Sequence, residues 1–368
     1  MNMHQLRSYI APAAPATRTP CDGTESEMRV EFGFTPRWYH LRCGIGFEER
    51  WHLDPLYRYE TLVTMRRELK RSFPELSLGG ISPDDCPGTI DGVHGALMVA
   101  KLFGIPVEYY PDNWPAAQHC FLSEEAIRRL ASPELSSSPP FAQLMDQMDA
   151  IEREFGRIEG YINWQGVLNN ALRLRGSDIF TDLATDPPLA HHLFEVIADT
   201  MIAGMRAVYA RQRETGVVVR HATVSNCLVN LVSSDAYREH LLPYDHRISE
   251  AFEHFGVHNC AWNVDPYIAD YAGIRKLGYV DMGIESDLRR VKRLCPDTRR
   301  AVMYPPKDLM TKSVETLRED LRRIRRELSP CDIVMADIDY ETFDERVKAF
   351  AALAEDTLAV EPEYFVRS

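Results

Sequence analysis

Paired cysteines, excess positive charge and long apolar runs are all missing from this 368-residue chain. Its eight cysteines are scattered and form no Cys-x-x-Cys pair, so we expect reduced thiols rather than a disulfide framework. Acidic residues outnumber basic ones by 55 to 42, and the formal net charge is -13, so neither nucleic acid nor an anionic membrane is an expected partner. No apolar run approaches the roughly 20 residues that a membrane-spanning helix needs.

The amino-terminal stretch differs in composition from the rest of the chain. Residues 1–25 are rich in small residues and proline, with three prolines between positions 11 and 20, and we expect a flexible tail there. The order of charged, apolar and small residues typical of a signal peptide is missing, so we expect a cytoplasmic protein. Residues 26–368 have the composition of a single soluble globular domain.

Short apolar runs alternate with longer amphipathic segments along much of the chain. The apolar runs predict strands at 105–110, 158–164, 217–224, 257–262, 277–282, 299–304 and 332–338. Strands that alternate with helices are typical of parallel βα units. Seven candidate strands favour a closed (β/α)₈ TIM barrel with an N-terminal extension over an open sheet.

Polar residues follow many of these predicted strands. Because catalytic groups in such barrels come from the carboxyl ends of several strands, this rim is where we expect chemistry. The rim residues are Asp112, Asn113, Asn163, Gln165, Ser225, Asn226, His258, Cys260, Asp281, Tyr304, Asp337 and Asp339. For Asn226, Asp281 and Tyr304, together with Asn263, substrate or cofactor binding and simple turn capping are both open.

The most suggestive pair on this rim is His258 and Cys260. Gly256 is predicted to end a helix at 245–255, and the strand at 257–262 would then point both side chains to one face. An imidazole and a thiolate side by side suit zinc, which needs at least one further protein ligand. A buried thiol beside a core histidine remains the alternative.

Three ordered segments resemble the uroporphyrinogen decarboxylase superfamily: residues 233–244, 256–260 and 331–339. The histidine-x-cysteine pair is similar to that of its zinc-dependent, corrinoid-linked methyltransferase branch, the methylcobamide:coenzyme M methyltransferase type. The resemblance implies a TIM barrel, a bound zinc ion and a small thiol or other methyl acceptor. Because the chain has no Asp-x-His-x-x-Gly motif, it also implies that the corrinoid (methylcobamide) is carried by a partner protein.

The chain departs from both branches of this superfamily. The Met-Arg-Gln-Ala-Gly-Arg-Tyr motif of the decarboxylases is missing from residues 38–46, which makes porphyrinogen decarboxylation less favoured. In the methyltransferases the third zinc ligand is a cysteine at the end of the last strand, where this chain has Asp337, or Asp339. Cys331 precedes the predicted strand at 332–338 and would lie ~20 Å away at its opposite end. The resemblance therefore implies that His258, Cys260 and Asp337 form the catalytic metal site.

Three other functions remain open at this point. A metal-free decarboxylase or lyase would use Arg37, Arg42 and Arg220 to hold substrate carboxylates. A methyltransferase with a different donor or acceptor is the second, and a non-catalytic barrel that binds a tetrapyrrole or another anion is the third. A homodimer is compatible with each of them.

Overall fold

A computed structural model describes residues 4–10, 19–79, 82 and 88–360. Within these residues a parallel sheet of seven strands forms the centre of the molecule. The strands in chain order are β1 (Gln5–Arg7), β2 (Met28–Phe34), β3 (Val107–Glu108), β4 (Ala116–Ala117), β5 (His221–Ser225), β6 (His254–His258), β7 (Leu277–Met282), β8 (Arg299–Met303) and β9 (Cys331–Ile338). The sheet order is β1-β2-β9-β8-β7-β6-β5, and β3 and β4 form a separate antiparallel pair.

Two extended segments continue the barrel beyond the seven hydrogen-bonded strands. Residues 88–91 and 158–164 are bridged in parallel, since the Ile90 amide donates to the Glu159 carbonyl at 2.9 Å. The Tyr161 hydroxyl bonds to both backbone groups of Thr223 in β5, at 3.0 and 3.2 Å. The α/β barrel class predicted from the alternation is confirmed, although in the described residues the regular ladders stop at β1 and β5.

Helices surround the sheet. In chain order they are α1 (Pro36–Cys43), α2 (Glu49–Leu53), α3 (Pro55–Ser72), α4 (Met98–Leu102), α5 (Glu124–Arg128), α6 (Pro139–Phe155), α7 (Val167–Arg175), α8 (Asp178–Thr185), α9 (Pro187–Glu214), α10 (Ser234–Ala236), α11 (Leu242–Glu250), α12 (Ile268–Ala272), α13 (Leu288–Leu294), α14 (Pro306–Thr311), α15 (Val314–Leu328) and α16 (Asp344–Ala359). Short 3₁₀ turns lie at Leu135–Ser137 and Val229–Leu231, and a π-helical turn at Tyr237–Leu241 joins α10 to α11.

The periodicity of α15 illustrates how these helices pack on the sheet. Ser313 caps its first turn, and the helix buries four apolar side chains three or four residues apart, Leu317, Leu321, Ile324 and Leu328. The charged residues between them lie on the opposite face, as the 3.6-residue period requires.

The structure corrects the prediction for Gly256. The helix ends at Glu250, and Gly256 lies in the middle of β6 rather than at a helix end. A Cβ atom at this position would lie 2.6 Å from the Thr223 Oγ1 atom and 2.9 Å from the His221 Cε1 atom, so glycine here allows β6 to approach β5 closely. The strand ends at His258, four residues earlier than predicted.

The predicted strand at 105–110 is also wrong. Only Val107–Glu108 is a strand, and it belongs to the separate hairpin, so Asp112 and Asn113 do not follow a strand of the central sheet. The central sheet instead contains β2, which pairs with β9 and lies where the sequence predicted no strand. Residues 158–164 are extended but lack a regular ladder.

The amino-terminal stretch is partly built into the fold. Gln5–Arg7, which lie within the segment predicted to be a flexible tail, pair with Glu31–Gly33 of β2. Residues 1–3 and 11–18 of that segment lie outside the described residues, as do Cys86 and residues 361–368. Among the described helices, none combines the length and the apolar character that crossing a bilayer requires.

Candidate metal centre

The register between β5 and β6 brings two cysteines together. Ser225 pairs with His258 across these parallel strands, so Cys227 and Cys260 each lie two residues beyond a paired position. Cys260 has a φ of 57°, a left-handed conformation that a non-glycine residue seldom adopts. The segments that follow β5 and β6 thus leave the sheet side by side, at the carboxyl ends of the two strands.

Cys227, His258 and Cys260 have the arrangement of a metal site. Their ligand atoms all lie within 4.8 Å of one another, and they are the one such group among the described residues. The Sγ atoms of Cys227 and Cys260 are 2.7 Å apart, and the Cys260 Sγ atom is 3.0 Å from His258 Nε2. Both thiols are half-buried, so the group can be reached from the barrel mouth.

A buried carboxylate orients the His258 ring. Asp281 Oδ2 lies 2.6 Å from His258 Nδ1 and accepts a hydrogen bond from the Tyr279 hydroxyl at 2.7 Å, while Oδ1 accepts one from the Asn259 amide at 2.7 Å. Because Nδ1 donates to Asp281, the ring turns Nε2 toward the two thiols, and this nitrogen has a free lone pair whenever the ring is neutral. Such a carboxylate–histidine pair is typical of metal-ligating histidines.

The charges of the three groups are strongly coupled. A hydrogen bond from Cys260 lowers the pKa of Cys227 to about 5, and the His258 charge adds to this effect. The same hydrogen bond, with burial, raises the pKa of Cys260. Burial would lower the pKa of His258, but the charges of Asp281 and Cys227 outweigh it and raise that pKa to about 10. The metal-free group is therefore a thiolate, an imidazolium and a thiol at neutral pH.

The profile of the uroporphyrinogen decarboxylase (URO-D) family matches residues 93–333, well over half of the chain. The chain belongs to this family. Among solved structures, a methyltransferase from Methanosarcina mazei is similar, with a TM-score of 0.62 and 14% sequence identity over 94% of this chain and 96% of the other. At that identity the likeness shows the fold. A search of curated proteins finds no match.

Asp337, the third ligand implied by the sequence resemblance, stands beside the group rather than within it. Its side chain is exposed to solvent, yet desolvation by the surrounding protein raises the pKa of its carboxyl, and the His258 charge acts in the opposite direction. Asp339 instead accepts a hydrogen bond from the Thr35 hydroxyl at 2.9 Å. Cys331 begins β9, so it lies at the opposite end of the strand, as predicted.

The other predicted site residues are dispersed. Asn226 precedes Cys227, and its amide nitrogen donates to the buried Asp245 carboxylate at 2.7 Å. Asn263 is exposed and caps its own turn, accepting from the Asp265 amide at 2.8 Å. The Tyr304 hydroxyl donates to Asp320 at 2.5 Å, which directs it toward α15. Of these residues, Asp281 alone is bonded to one of the three grouped side chains.

Cys227 is the member of this candidate metal group that sequence reasoning did not single out. The available signal was a cysteine three residues after the predicted strand at 217–224. In the structure Cys227 lies two residues beyond the end of β5, as Cys260 lies two residues beyond the end of β6. Its significance depends on which strands are neighbours and in what register, and helical segments separate the two strands in the sequence.

Proposed function

We propose that this family member is a zinc-dependent methyltransferase that moves a methyl group between a corrinoid on a separate protein and a thiol acceptor. The observation that carries the proposal is the convergence of three ligand atoms, from Cys227, His258 and Cys260, within 4.8 Å at the barrel mouth. The fold shared with the Methanosarcina mazei methyltransferase supports the reaction class.

The residues present fit a zinc ion. Two cysteine sulfurs and one histidine nitrogen are a ligand set found in catalytic zinc sites, which keep a fourth position open for water or substrate. The accessible thiols and the ring orientation imposed by Asp281 agree with such a site. In this assignment Cys227 supplies the ligand that the related methyltransferases take from the last strand, while a ligand role for Asp337 stays a prediction.

Zinc bound here would coordinate the acceptor thiol and lower its pKa, so that a thiolate is available at neutral pH to take the methyl group. The protein's own part is to hold the ligands. Asp281 keeps the Nε2 atom of His258 turned toward the thiols, and the low pKa of Cys227 supplies one thiolate ligand before any metal arrives. His258 and Cys260 each give up a proton when they become ligands.

Metal analysis of single variants tests this assignment. We expect about one zinc per chain, lost on Cys227→Ser, His258→Ala or Cys260→Ser because zinc sites need at least three protein ligands. Cys295→Ser is the matched control, since this buried cysteine lies outside the group. A protein that binds no zinc after purification without chelator and reconstitution would contradict the proposal. Zinc loss on Asp337→Asn with retention on Cys227→Ser would restore the ligand set implied by the sequence.

The three arginines that a metal-free decarboxylase would use to hold substrate carboxylates have other partners in the structure. Arg37 pairs with Glu341 at 3.0 Å, and Arg42 forms two short bonds to Asp344. Arg220 pairs with an exposed glutamate on the surface. Each guanidinium already has a carboxylate partner within the protein.

A further inference from the structure

A cavity of about 230 Å³ lies at the amino-terminal end of the barrel strands. The first residues of β8 and β9 line it, together with Cys21 and Lys292. The strands β5 to β9 are all parallel, and the proposed metal centre follows the carboxyl ends of β5 and β6. The cavity and the metal centre therefore lie at opposite ends of the barrel, so the proposed function does not account for the cavity.

Arg300 is a buried cation in the wall of this cavity, and it has no carboxylate partner among the described residues. It is 3% exposed. Its Nη1 atom donates to the carbonyl oxygens of Cys295 and Pro296 at 2.7 and 2.8 Å, and its Nη2 atom donates to that of Pro330 at 3.1 Å. The Nε atom is buried and has no hydrogen-bond partner among the described residues. Carbonyl dipoles offset only part of the cost of removing a guanidinium from water.

Lys292, on α13, adds a second positive charge to the lining. It is half-buried, and within the described part of the chain its ammonium forms neither a hydrogen bond nor an ion pair. Burial raises the pKa of the Cys331 thiol, and the charges of Lys292 and Arg300 both act in the opposite direction. Both cations thus lie near the same buried sulfur of the cavity wall.

The two carboxylates that line the cavity already have partners. Asp332 lies between two guanidinium groups, with the Nε atoms of Arg299 and Arg29 at 2.9 and 3.0 Å. Glu25 accepts hydrogen bonds from two backbone amides of its own turn, at 2.8 and 3.0 Å. The lining consequently has more positive than negative charge, and the excess comes from the lysine of α13 and the buried arginine of β8.

The surrounding part of the sequence is basic as well. Residues 275–326, which include β7, α13 and β8, contain 15 lysines and arginines but only eight aspartates and glutamates, although the net charge of the whole chain is -13. A local positive field of this kind raises the concentration of small anions near it.

We propose that this cavity binds a small organic oxyanion, a carboxylate or a phosphate ester, beside Lys292 and Arg300. Arg300 supplies a fixed buried countercharge, and the ammonium of Lys292 supplies charge-assisted hydrogen bonds. Pro296 and Pro330 add apolar surface to the wall, which suits a ligand with a short carbon chain. The volume is below the ~300 Å³ at which pockets for drug-sized ligands begin. At this end of the barrel the ligand is neither the methyl donor nor the acceptor.

The test titrates the full-length protein with inorganic phosphate and, separately, with propanoate, by calorimetry at low ionic strength. We expect a dissociation constant of about 1 mM or lower for at least one of them, the affinity that two hydrogen bonds to charged groups supply. Tighter binding of phosphate or of propanoate identifies the class of oxyanion, and either result supports the site.

The variant Lys292→Gln should weaken this binding by about 10-fold to 100-fold, the range for one hydrogen bond to a charged group. Arg293→Gln is the matched control, because it removes the same charge from an exposed position on α13 that does not line the cavity. Arg300→Gln would also remove three bonds to backbone carbonyls, so the comparison of the two α13 variants is the decisive one.

A second measurement locates the bound anion. Cys21 lines the cavity and is half-buried, whereas Cys120 is exposed and lies outside it. Phosphate or propanoate should slow the alkylation of Cys21 and leave that of Cys120 unchanged, as measured by peptide mass spectrometry. Three results would each overturn the inference: no binding of either anion up to about 10 mM, equal weakening in the two α13 variants, or binding without protection of Cys21. Zinc content is measured separately and reports on the proposed function alone.

Discussion

Replacing Asp281 by asparagine should weaken zinc binding without removing any ligand. An asparagine has one oxygen where the carboxylate has two, and Asp281 accepts three hydrogen bonds, from His258, Asn259 and Tyr279. If the amide nitrogen faces His258, the ring must accept at Nδ1 and carry its proton on Nε2, where the metal would bind. If it faces Asn259 instead, two donors meet in a fully buried site.

Loss of such a carboxylate partner commonly costs 10-fold to 100-fold in metal affinity, or about 1.4–2.7 kcal/mol. We expect a loss in that range for Asp281→Asn, measured by competition for zinc with a chromogenic chelator. Tyr279→Phe leaves the His258–Asp281 hydrogen bond in place and should change affinity less. Asp297→Asn, an exposed position, should have no effect. Unchanged zinc affinity in a folded Asp281→Asn protein would refute the role assigned to this carboxylate.

Three further predictions concern protons and packing. His258 and Cys260 are protonated in the metal-free protein, so zinc affinity should rise between pH 6 and 8. The rise should reach up to about 100-fold per pH unit if both protons are displaced. An affinity that does not depend on pH in competition titrations would contradict this. Burial raises the pKa of Asp245 to about 6 against two hydrogen bonds that lower it. A raised carboxyl pKa makes the free energy of unfolding fall as pH rises from about 4 to 6. Asp245→Asn should therefore stabilise the protein at pH 8 by up to about 3 kcal/mol and remove this pH dependence, as measured by denaturant titrations. Equal or lower stability of the variant would contradict the prediction. Gly204→Ala would place a Cβ 2.2 Å from the Trp164 ring and should cost about 1–3 kcal/mol in thermal unfolding; no loss of stability would show that the ring can move aside.

The class of fold was predictable because its signal is local. Apolar runs of strand length at 277–282, 299–304 and 332–338 coincide closely with β7, β8 and β9, and each is followed by a helix whose apolar side chains recur every three or four residues. Where local features were ambiguous, the prediction failed. Gly256 looks like a helix end in the sequence, yet it serves a contact with β5 that involves residues more than thirty positions away.

By itself the sequence determined where the candidate site was predicted, since the His258 and Cys260 pair comes at the end of a strand in a predictable βα barrel of a recognisable family. Tertiary structure alone decided which side chains complete it. The pairing of Ser225 with His258 sets Cys227 beside Cys260, and a cross-strand hydrogen bond makes Asp281 the partner of His258. Strand register depends on the packing of the whole sheet, so the spacing of residues within one segment cannot encode it.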